Sequence, residues 1–223
     1  MRERVRKRYI LLRMCFSPAA SFTAAAGLSS LGILTLSKVR RKEEIPFAMI
    51  PLLFGIQQAV EGFVWISIQQ GNVTMNSIAS HIFVIFAYVG WPVFVPVAVI
   101  LLEKVPWRKY VLYVFELLGI ALGAYFIYFL TQVPVMGHVA NRCIVYTTPP
   151  LDATAIILLY VAATCLSLMF SSHRIIKWFG LAASASLVIT YAAYSFALVS
   201  VWCFFSAILS GIVYFFFTQK TRR

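Results

Sequence analysis

The stretch that decides the fold is residues 178–219, which read WFGLAASASLVITYAAYSFALVSVWCFFSAILSGIVYFFFTQ and contain no charged side chain. As a single α-helix this stretch would be about 63 Å long, which is about twice the thickness of the hydrocarbon core of a bilayer. It is therefore expected to fold into two membrane spans with a tight turn near Ala197–Ser200. No Gly or Pro marks this turn in the sequence.

The composition of the whole chain agrees with a membrane protein. Of its 223 residues, 61% are hydrophobic and only 12% are charged, whereas a soluble domain usually carries about twice that share of charge. Further apolar stretches bring the expected number of spans to about seven. They are 17–37, 45–68, 77–102, 109–130, 152–172, 178–197 and 200–219. The sequence thus predicts an all-α, polytopic transmembrane helix bundle that forms one domain over residues 14–223.

The basic residues orient this bundle. Seven spans place the loops 38–44, 103–109 and 173–177 and the C-terminal tail on one side, and together these segments hold twelve Lys and Arg residues. The opposite loops, 69–76 and 131–151, hold only Arg142. Because positive charge is enriched in cytoplasmic loops, the C-terminus is expected in the cytoplasm and the start of the first span outside.

Residues 1–13 disagree with this orientation. They contain six basic residues, yet the predicted topology places them outside. Met14-Cys15-Phe16-Ser17 reads as a complete start just before the first span, so we expect the basic leader 1–13 to lie outside the natural fold.

Several functional classes are disfavoured by the sequence. The net charge is +12, but the basic residues lie in short loop clusters without interleaved stacking aromatics, which argues against nucleic-acid binding. The last predicted span contains no Lys, which excludes a retinal Schiff base. P-loop, H-E-x-x-H, C-x-x-C and G-x-S-x-G motifs are absent. The expected partners are therefore the lipid bilayer and a small-molecule or lipid ligand.

Glu61 is the first candidate for a functional residue. A carboxylate within a membrane helix costs about 2.5–3.5 kcal/mol on insertion scales, so it usually faces the bundle interior and has a partner. Gln57, Glu61 and Trp65 follow one another at i, i+4 and i+8, on one face of a helix. His81 and Trp202 are expected at a similar depth. We interpret these five residues as a ligand-binding site that opens outward, and the alternative is a protonated Glu61 that serves packing alone.

Two further functions stay open. Glu61 and His81, with His138 or Asp152, are weak candidates for a divalent metal site, which would indicate a membrane-embedded metal-dependent hydrolase. The segment Ser77–His81 fits the Ser-x-x-x-His pattern of alkaline-ceramidase-like hydrolases, but the His-x-x-x-His pair of that family has no counterpart here. The third possibility is a structural subunit of a membrane complex.

The cysteines give a prediction for the outer side. Cys15, Cys143 and Cys203 are expected on the oxidising side, where disulfides persist. A Cys143–Cys203 bond would join the loop between the fourth and fifth spans to the seventh span, and Cys15 is the competing partner. The connectivity stays open at this point.

Several motifs resemble an uncharacterised family of small bacterial multi-pass membrane proteins. They begin with the opening Met14-Cys15-Phe16-Ser17-Pro18-Ala19-Ala20-Ser21-Phe22 and continue with Ile45-Pro46-Phe47, Pro51, Gln57, Glu61-Gly62, Trp65, Trp91-Pro92, Gly137-His138, Ser171-Ser172 and Ser200-Val201-Trp202-Cys203-Phe204-Phe205. The resemblance extends from residue 14 to about residue 215. It implies a protein of the bacterial inner membrane and carries no established activity.

The topology can be tested with reporter fusions. A reporter fused after Arg223 should be active only as a cytoplasmic marker, and one inserted within residues 69–76 only as an external marker. The reason is that twelve of the thirteen Lys and Arg residues after residue 13 lie on the predicted inner side. A cytoplasmic signal from the 69–76 insertion would overturn this orientation.

Overall fold

The chain forms an almost entirely helical bundle. The structure is a computed structural model, and it describes residues 17–147 and 154–221. The helices are α1 (Pro18–Leu36), α2 (Ile45–Gln70), α3 (Val73–Leu102), α4 (Pro106–Leu130), α5 (154–169), α6 (Arg174–Tyr194), α7 (Leu198–Leu209) and α8 (Gly211–Thr221). Two strands, β1 (Gly137–Ala140) and β2 (Cys143–Tyr146), lie between α4 and α5. The all-α class expected from the sequence is confirmed, with this small hairpin as an addition.

Five helical segments of the described residues are long and apolar enough to cross a membrane. They are Pro18–Leu36, Lys42–Gln70, Val73–Leu102, Pro106–Leu130 and the run Arg174–Gln219. A shorter apolar helix occupies Ala155–Met169. The observed ends lie within a few residues of the boundaries expected from the sequence, whereas the number of membrane crossings and their direction stay predictions.

The run 174–219 folds back on itself, as expected from the length of the uncharged stretch 178–219. The indole Nε1 of Trp202 donates a hydrogen bond of 3.2 Å to the carbonyl oxygen of Ala183. On a straight helix these two residues would be about 28 Å apart. The reversal occurs at a 3₁₀ turn, Ser195–Ala197, with non-helical backbone angles at Tyr194 and Ala197. The turn therefore begins two residues earlier than expected, without Gly or Pro.

Helix α3 is interrupted by a π-helical turn, and α5 contains a second one. The first occupies Phe86–Gly90, ending two residues before Pro92, and the second occupies Ala162–Leu166. A π turn leaves backbone carbonyls outside the regular i→i−4 ladder, so these need other partners in a membrane. The hydroxyl of Tyr160 on α5 supplies one by donating to the carbonyl oxygen of Ala87 on α3.

Glycine permits the closest approach between α1 and α2. A Cβ on Gly55 would lie 2.5 Å from Ser29 Oγ, and a Cβ on Gly32 would lie 2.6 Å from the backbone nitrogen of Leu52. Small residues at such crossings allow helices in a membrane to pack backbone against backbone. This packing holds the α2 face that carries Gln57 and Glu61 in a fixed position.

The hairpin was not expected from the sequence, which predicts only a loop over residues 131–151. Its two-residue turn, Asn141-Arg142, has φ values of 47° and 64°, which is the left-handed geometry of a type I′ turn. The usual signal for this turn is Asn-Gly or Asp-Gly, and here Arg occupies the second position. The strands are only four residues long, so their alternation is too short to be recognised.

Asn76 attaches the hairpin to the helices. Its side chain donates from Nδ2 to the Gly137 carbonyl and accepts from the Gly137 amide, both at 2.8 Å. Ser80 Oγ donates to the same Asn76 oxygen at 3.0 Å. A Cβ on Gly137 would lie 2.7 Å from Val64 Cγ1, so only glycine fits at this contact. The hairpin is thereby seated between α2 and α3, and this end of the bundle is called the hairpin side below.

The opposite end is held by Glu103, just after α3. This carboxylate is only 3% exposed and accepts from the amides of Lys104, Val105 and Ser172 at 2.6–3.0 Å. Burial alone would raise the pKa of the Glu103 carboxyl, but these backbone amides outweigh it and hold the pKa below its usual value. The Arg108 guanidinium donates two further hydrogen bonds to backbone carbonyls of the α5–α6 loop. The α3–α4 and α5–α6 loops are therefore tied together.

The Asn76 contact gives a stability prediction. Asn76→Ala leaves the amide and carbonyl of Gly137 buried without partners, which should destabilise the protein by about 2–3 kcal/mol. Thermal unfolding in detergent measures this change. His138→Ala is the matched control, because His138 is the next residue on the strand and its side chain is exposed. Equal stability of the two variants would show that the hairpin does not depend on Asn76.

Candidate functional site

The site is built around Glu61, which lies on α2 about 13 Å from its end at Gln70. The Glu61 side chain is fully buried. Its Oε1 accepts a hydrogen bond of 2.5 Å from Ser200 Oγ on α7. The second oxygen, Oε2, is buried without a hydrogen-bond partner. Glu61 thus joins α2 to α7 with one oxygen and leaves the other available.

Gln57 lies one turn before Glu61 and makes two bonds to other helices. Its Oε1 accepts from Trp91 Nε1 at 2.8 Å, and its Nε2 donates to Cys203 Sγ at 3.4 Å. The Trp91 ring is in turn stacked on Phe54, with the centroids 4.0 Å apart. Both polar ends of Gln57 are therefore used, and its role in the structure is to connect α2, α3 and α7.

Three neighbouring groups have polar atoms without hydrogen bonds. Both polar atoms of Gln58, the hydroxyl of Tyr146 and the indole nitrogen of Trp65 are buried and unpartnered. Gln58 and Tyr146 are directed at the Glu61 carboxylate and come close to hydrogen-bonding it, although neither side chain forms a well-aligned hydrogen bond. Trp65 lies one turn further along the same buried face of α2. Unsatisfied polar groups at this depth are costly, so the cluster has hydrogen-bonding capacity that these side chains do not fully use among themselves.

The hairpin supplies Tyr146 to this cluster. The Tyr146 ring is stacked on Phe83 of α3, with centroids 4.7 Å apart and planes inclined by 13°. This stacking directs the hydroxyl from the hairpin side toward Glu61. The cluster is consequently covered by a segment that Asn76 and Gly137 hold in place.

The surroundings of Glu61 are neutral. Within residues 17–147 and 154–221, Glu61 makes no ion pair, and the groups nearest to it are Ser200, Gln58, Tyr146 and Cys203. A buried carboxylate without a cationic side chain needs a proton or an external positive group to offset its desolvation. Chemically, the cluster can bind a proton, a cation or a ligand that both donates and accepts hydrogen bonds.

The structure brings together some of the sequence candidates and separates others. Gln57, Glu61 and Trp65 lie on one buried face of α2, as predicted. His81 is bonded within its own helix, with Nδ1 2.8 Å from the Ser77 carbonyl oxygen. The indole Nε1 of Trp202 donates its hydrogen bond to the Ala183 carbonyl oxygen. Neither His81 nor Trp202 is hydrogen-bonded to the Glu61 cluster.

The metal candidates do not form a group among the described residues. No set of three or more His, Cys, Asp or Glu side chains is placed to hold a metal ion there. His138 is exposed on β1, which separates it from the buried Glu61. Asp152 lies outside the described residues, so a site that includes it is not tested.

The candidate Cys143–Cys203 disulfide, one of the pairings that the sequence left open, is not formed in this structure. Cys203 has a free thiol, and its Sγ accepts the hydrogen bond from Gln57. Cys143 instead packs with Ala197 and Val201, at the turn between α6 and α7. The two cysteines belong to different parts of the core because Cys203 faces the polar cluster. Cys15 lies outside the described residues.

Sequence reasoning missed Gln58, Tyr146, Ser200 and Trp91 as parts of this site. Ser200 and Cys203 are three residues apart on α7, which is a signal that they share a face. Gln58 directly follows Gln57, and a pair of glutamines inside a predicted span was available as a signal. Tyr146 had no such signal, because its position depends on the unexpected hairpin.

Comparison with known proteins gives a family and no activity. A family of unknown function, DUF6629, matches residues 14–223. The chain therefore belongs to this family, which confirms that it is a member of an uncharacterised family. No curated protein and no solved structure matches the chain significantly.

The two adjacent glutamines give opposite predictions for stability. Gln57→Leu should destabilise the protein by about 1–3 kcal/mol, because it leaves Trp91 Nε1 buried without an acceptor. Gln58→Leu should be neutral or stabilising, because it removes two buried polar atoms that form no well-aligned hydrogen bond. Thermal unfolding of both variants in the same detergent measures the difference. A large loss of stability in Gln58→Leu would show that another group bonds Gln58 in solution.

Proposed function

We propose that this member of the DUF6629 family is an integral membrane protein that binds a small molecule or lipid at the polar cluster around Glu61, as a sensor or a transporter. Gln58, Tyr146 and the free oxygen of Glu61 would contact the ligand, and Gln57 and Ser200 would hold the cluster in place. The observation that carries this proposal is the convergence of unpartnered, buried polar atoms on one carboxylate.

The proposed arrangement in the membrane has seven spans, an external N-terminus and a cytoplasmic C-terminus, in the bacterial inner membrane. The charge distribution and the resemblance to bacterial proteins support it. In this orientation the hairpin side faces outward, so a ligand would approach Glu61 past β2 and the start of α3. Access then requires the hairpin to move, because it covers the cluster.

A metal-dependent hydrolase is less well supported. It would require His81 to leave its bond with Ser77 and reach the carboxylate, and it would require Asp152 or a second ligand from outside the described residues. A structural subunit of a membrane complex would explain the buried hydrogen bonds of Gln57, but it gives no reason for the unpartnered atoms of Gln58. We therefore favour ligand binding.

A binding screen tests the proposal. The purified protein would be mixed with sodium, calcium, zinc, short alkylammonium ions and lysophospholipids, and its thermal unfolding followed. A ligand present at about 100 times its dissociation constant stabilises by about 2.7 kcal/mol, which corresponds to a shift of about 5–10 °C for a protein of this size. We expect Glu61→Gln to fold normally and to lose the shift, because it removes the charge and keeps the shape.

Glu116→Gln is the matched control. Glu116 also lies within a helix predicted to span the membrane, but it is only half-buried and belongs to α4, away from the cluster. This variant should keep the full shift. A ligand shift that survives Glu61→Gln would rule out the proposed site, and loss of folding in Glu61→Gln alone would favour a packing role for Glu61.

A further inference from the structure

The end of the bundle opposite the hairpin side carries a basic surface that is built from two segments. Residues 103–109 lead into α4, and residues 171–177 lead into α6. We call these two segments the basic loop pair. They contain a single acidic residue, Glu103, and five basic residues, namely Lys104, Arg108, Lys109, Arg174 and Lys177.

Hydrogen bonds hold the two segments of the basic loop pair together. Glu103 Oε2 accepts a bond of 2.6 Å from the Ser172 amide. Arg108 Nη1 donates to the carbonyl oxygens of Phe170 and Ser171 at 2.9 Å and 3.1 Å. Because these bonds join one segment to the other, the basic side chains of both segments lie together at one place on this end of the bundle.

The protein does not neutralise the charge of the basic loop pair. The Glu103 carboxylate is buried and already accepts hydrogen bonds from three backbone amides. Within residues 17–147 and 154–221, none of the five basic side chains forms an ion pair. The first turns of α4 and α6 contain no acidic residue, although a helix dipole disfavours basic side chains at that end of a helix. The electrostatics of this surface therefore favour a bound anion.

The loop 38–44 provides a comparison, because it holds four basic residues at the same end of the bundle. This loop also contains Glu43 and Glu44. Arg41 Nε forms an ion pair of 2.8 Å with Glu44 Oε1, and Lys38 Nζ lies 5.5 Å from the centroid of the Tyr214 ring. General enrichment of positive charge on one side of a membrane accounts for basic residues in both places. It does not account for the lack of acidic partners in the basic loop pair.

Exposed aromatic rings place the basic loop pair at the depth of the lipid headgroups. Trp107 and Trp178 are 55% and 54% exposed, and each is adjacent in sequence to a basic residue of the pair. Arg108 Cζ lies 4.8 Å from the centroid of the Trp107 ring. On α4 the exposed rings of Trp107 and Tyr128 are separated by about 31 Å of helix, which matches the thickness of the hydrocarbon core. Trp and Tyr are typical of both membrane interfaces, so Trp107 marks one of them.

We propose that the basic loop pair binds the phosphate group of an anionic phospholipid. Lys104, Arg174 and Lys177 would donate charge-assisted hydrogen bonds to the phosphate oxygens. Arg108 would hold the two segments in place through its carbonyl bonds. Phospholipids carry phosphate at this depth of a membrane, and basic clusters next to membrane spans are typical of anionic-lipid binding. The surface lies at the opposite end of the bundle from the hairpin, so this site does not depend on the proposed function of the Glu61 cluster.

A lipid titration followed by native mass spectrometry tests the site. The full-length protein in a neutral detergent would be titrated with phosphatidylglycerol and, separately, with phosphatidylcholine, and the dissociation constant of the first bound lipid measured. We expect phosphatidylglycerol to bind roughly tenfold more tightly or better, because each basic residue near a headgroup contributes roughly fivefold. Equal affinities for the two lipids would overturn the inference.

A triple variant locates the binding to the basic loop pair. Lys104→Gln, Arg174→Gln and Lys177→Gln together remove three charges and leave Arg108 in place. This variant should weaken phosphatidylglycerol binding roughly tenfold or more, with phosphatidylcholine binding unchanged.

The matched control removes the same number of charges from the loop 38–44. It combines Lys38→Gln, Arg40→Gln and Lys42→Gln, and it should leave the affinity for phosphatidylglycerol nearly unchanged. An equal loss of affinity in both triple variants would show a dependence on net charge alone and would reject the site. Glu61→Gln should also leave this affinity unchanged, which separates the site from the polar cluster.

Inorganic phosphate distinguishes a lipid from a soluble anion. Excess phosphate, compared with sodium chloride at the same ionic strength, should not displace phosphatidylglycerol, because the bound lipid is also held by its apolar part. Displacement by phosphate would assign the surface to a soluble anion and contradict the inference. If the triple variant of the basic loop pair does not give a single folded species, the two lipid titrations and the phosphate competition on the unmodified protein decide.

Discussion

The hydrocarbon environment obliges the protein to satisfy its own polar groups, and most features of this fold follow from that constraint. Each unsatisfied backbone group costs several kcal/mol in lipid, so the segments within the apolar region are helices. Where a helix departs from regular α-helical hydrogen bonding, a side chain supplies the missing partner, as the Tyr160 hydroxyl does for the Ala87 carbonyl. Side chains also satisfy backbone groups beyond the helix ends, since the Glu103 carboxylate accepts hydrogen bonds from three backbone amides in the loops. Against this background, the buried side-chain atoms without a hydrogen bond stand out, and most of those among the described residues lie near Glu61, the others being Ser21 Oγ and Glu116 Oε2.

The Glu61 cluster depends on elements that are far apart in the sequence. Glu61 and Gln57 come from α2, Trp91 from α3, Tyr146 from the hairpin, and Ser200 and Cys203 from α7. The close packing of α1 against α2 at Gly32 and Gly55 fixes the first of these elements. Asn76 fixes the hairpin. A polar site in the middle of an apolar bundle therefore requires the whole bundle to be assembled.

The sequence predicted the helices well because long apolar runs are a strong signal. The fold-back of residues 178–219 followed from length alone, and the face formed by Gln57, Glu61 and Trp65 followed from the helical period. The partners of that face could not be predicted, because contacts between helices depend on rotation and tilt rather than on local pattern. For the same reason the sequence left the pairing of Cys143 and Cys203 open: both residues were assigned to one side of the membrane, but the directions of their side chains were unknown. The hairpin was missed because Asn141-Arg142 lacks the glycine that usually marks a type I′ turn.

Helix α7 separates two different chemical environments. Ser200 and Cys203 contact the Glu61 and Gln57 side chains, and Cys203 also lines, together with Trp202, two apolar cavities between α7 and its neighbouring helices. A rotation of this one helix about its axis would alter the hydrogen bond at Glu61 and the shape of these cavities together. A contact that favours one orientation of α7 would therefore also change the affinity of the polar cluster for a ligand that prefers that orientation. Helix α7 is thus placed to transmit a change in its apolar surroundings to the buried carboxylate.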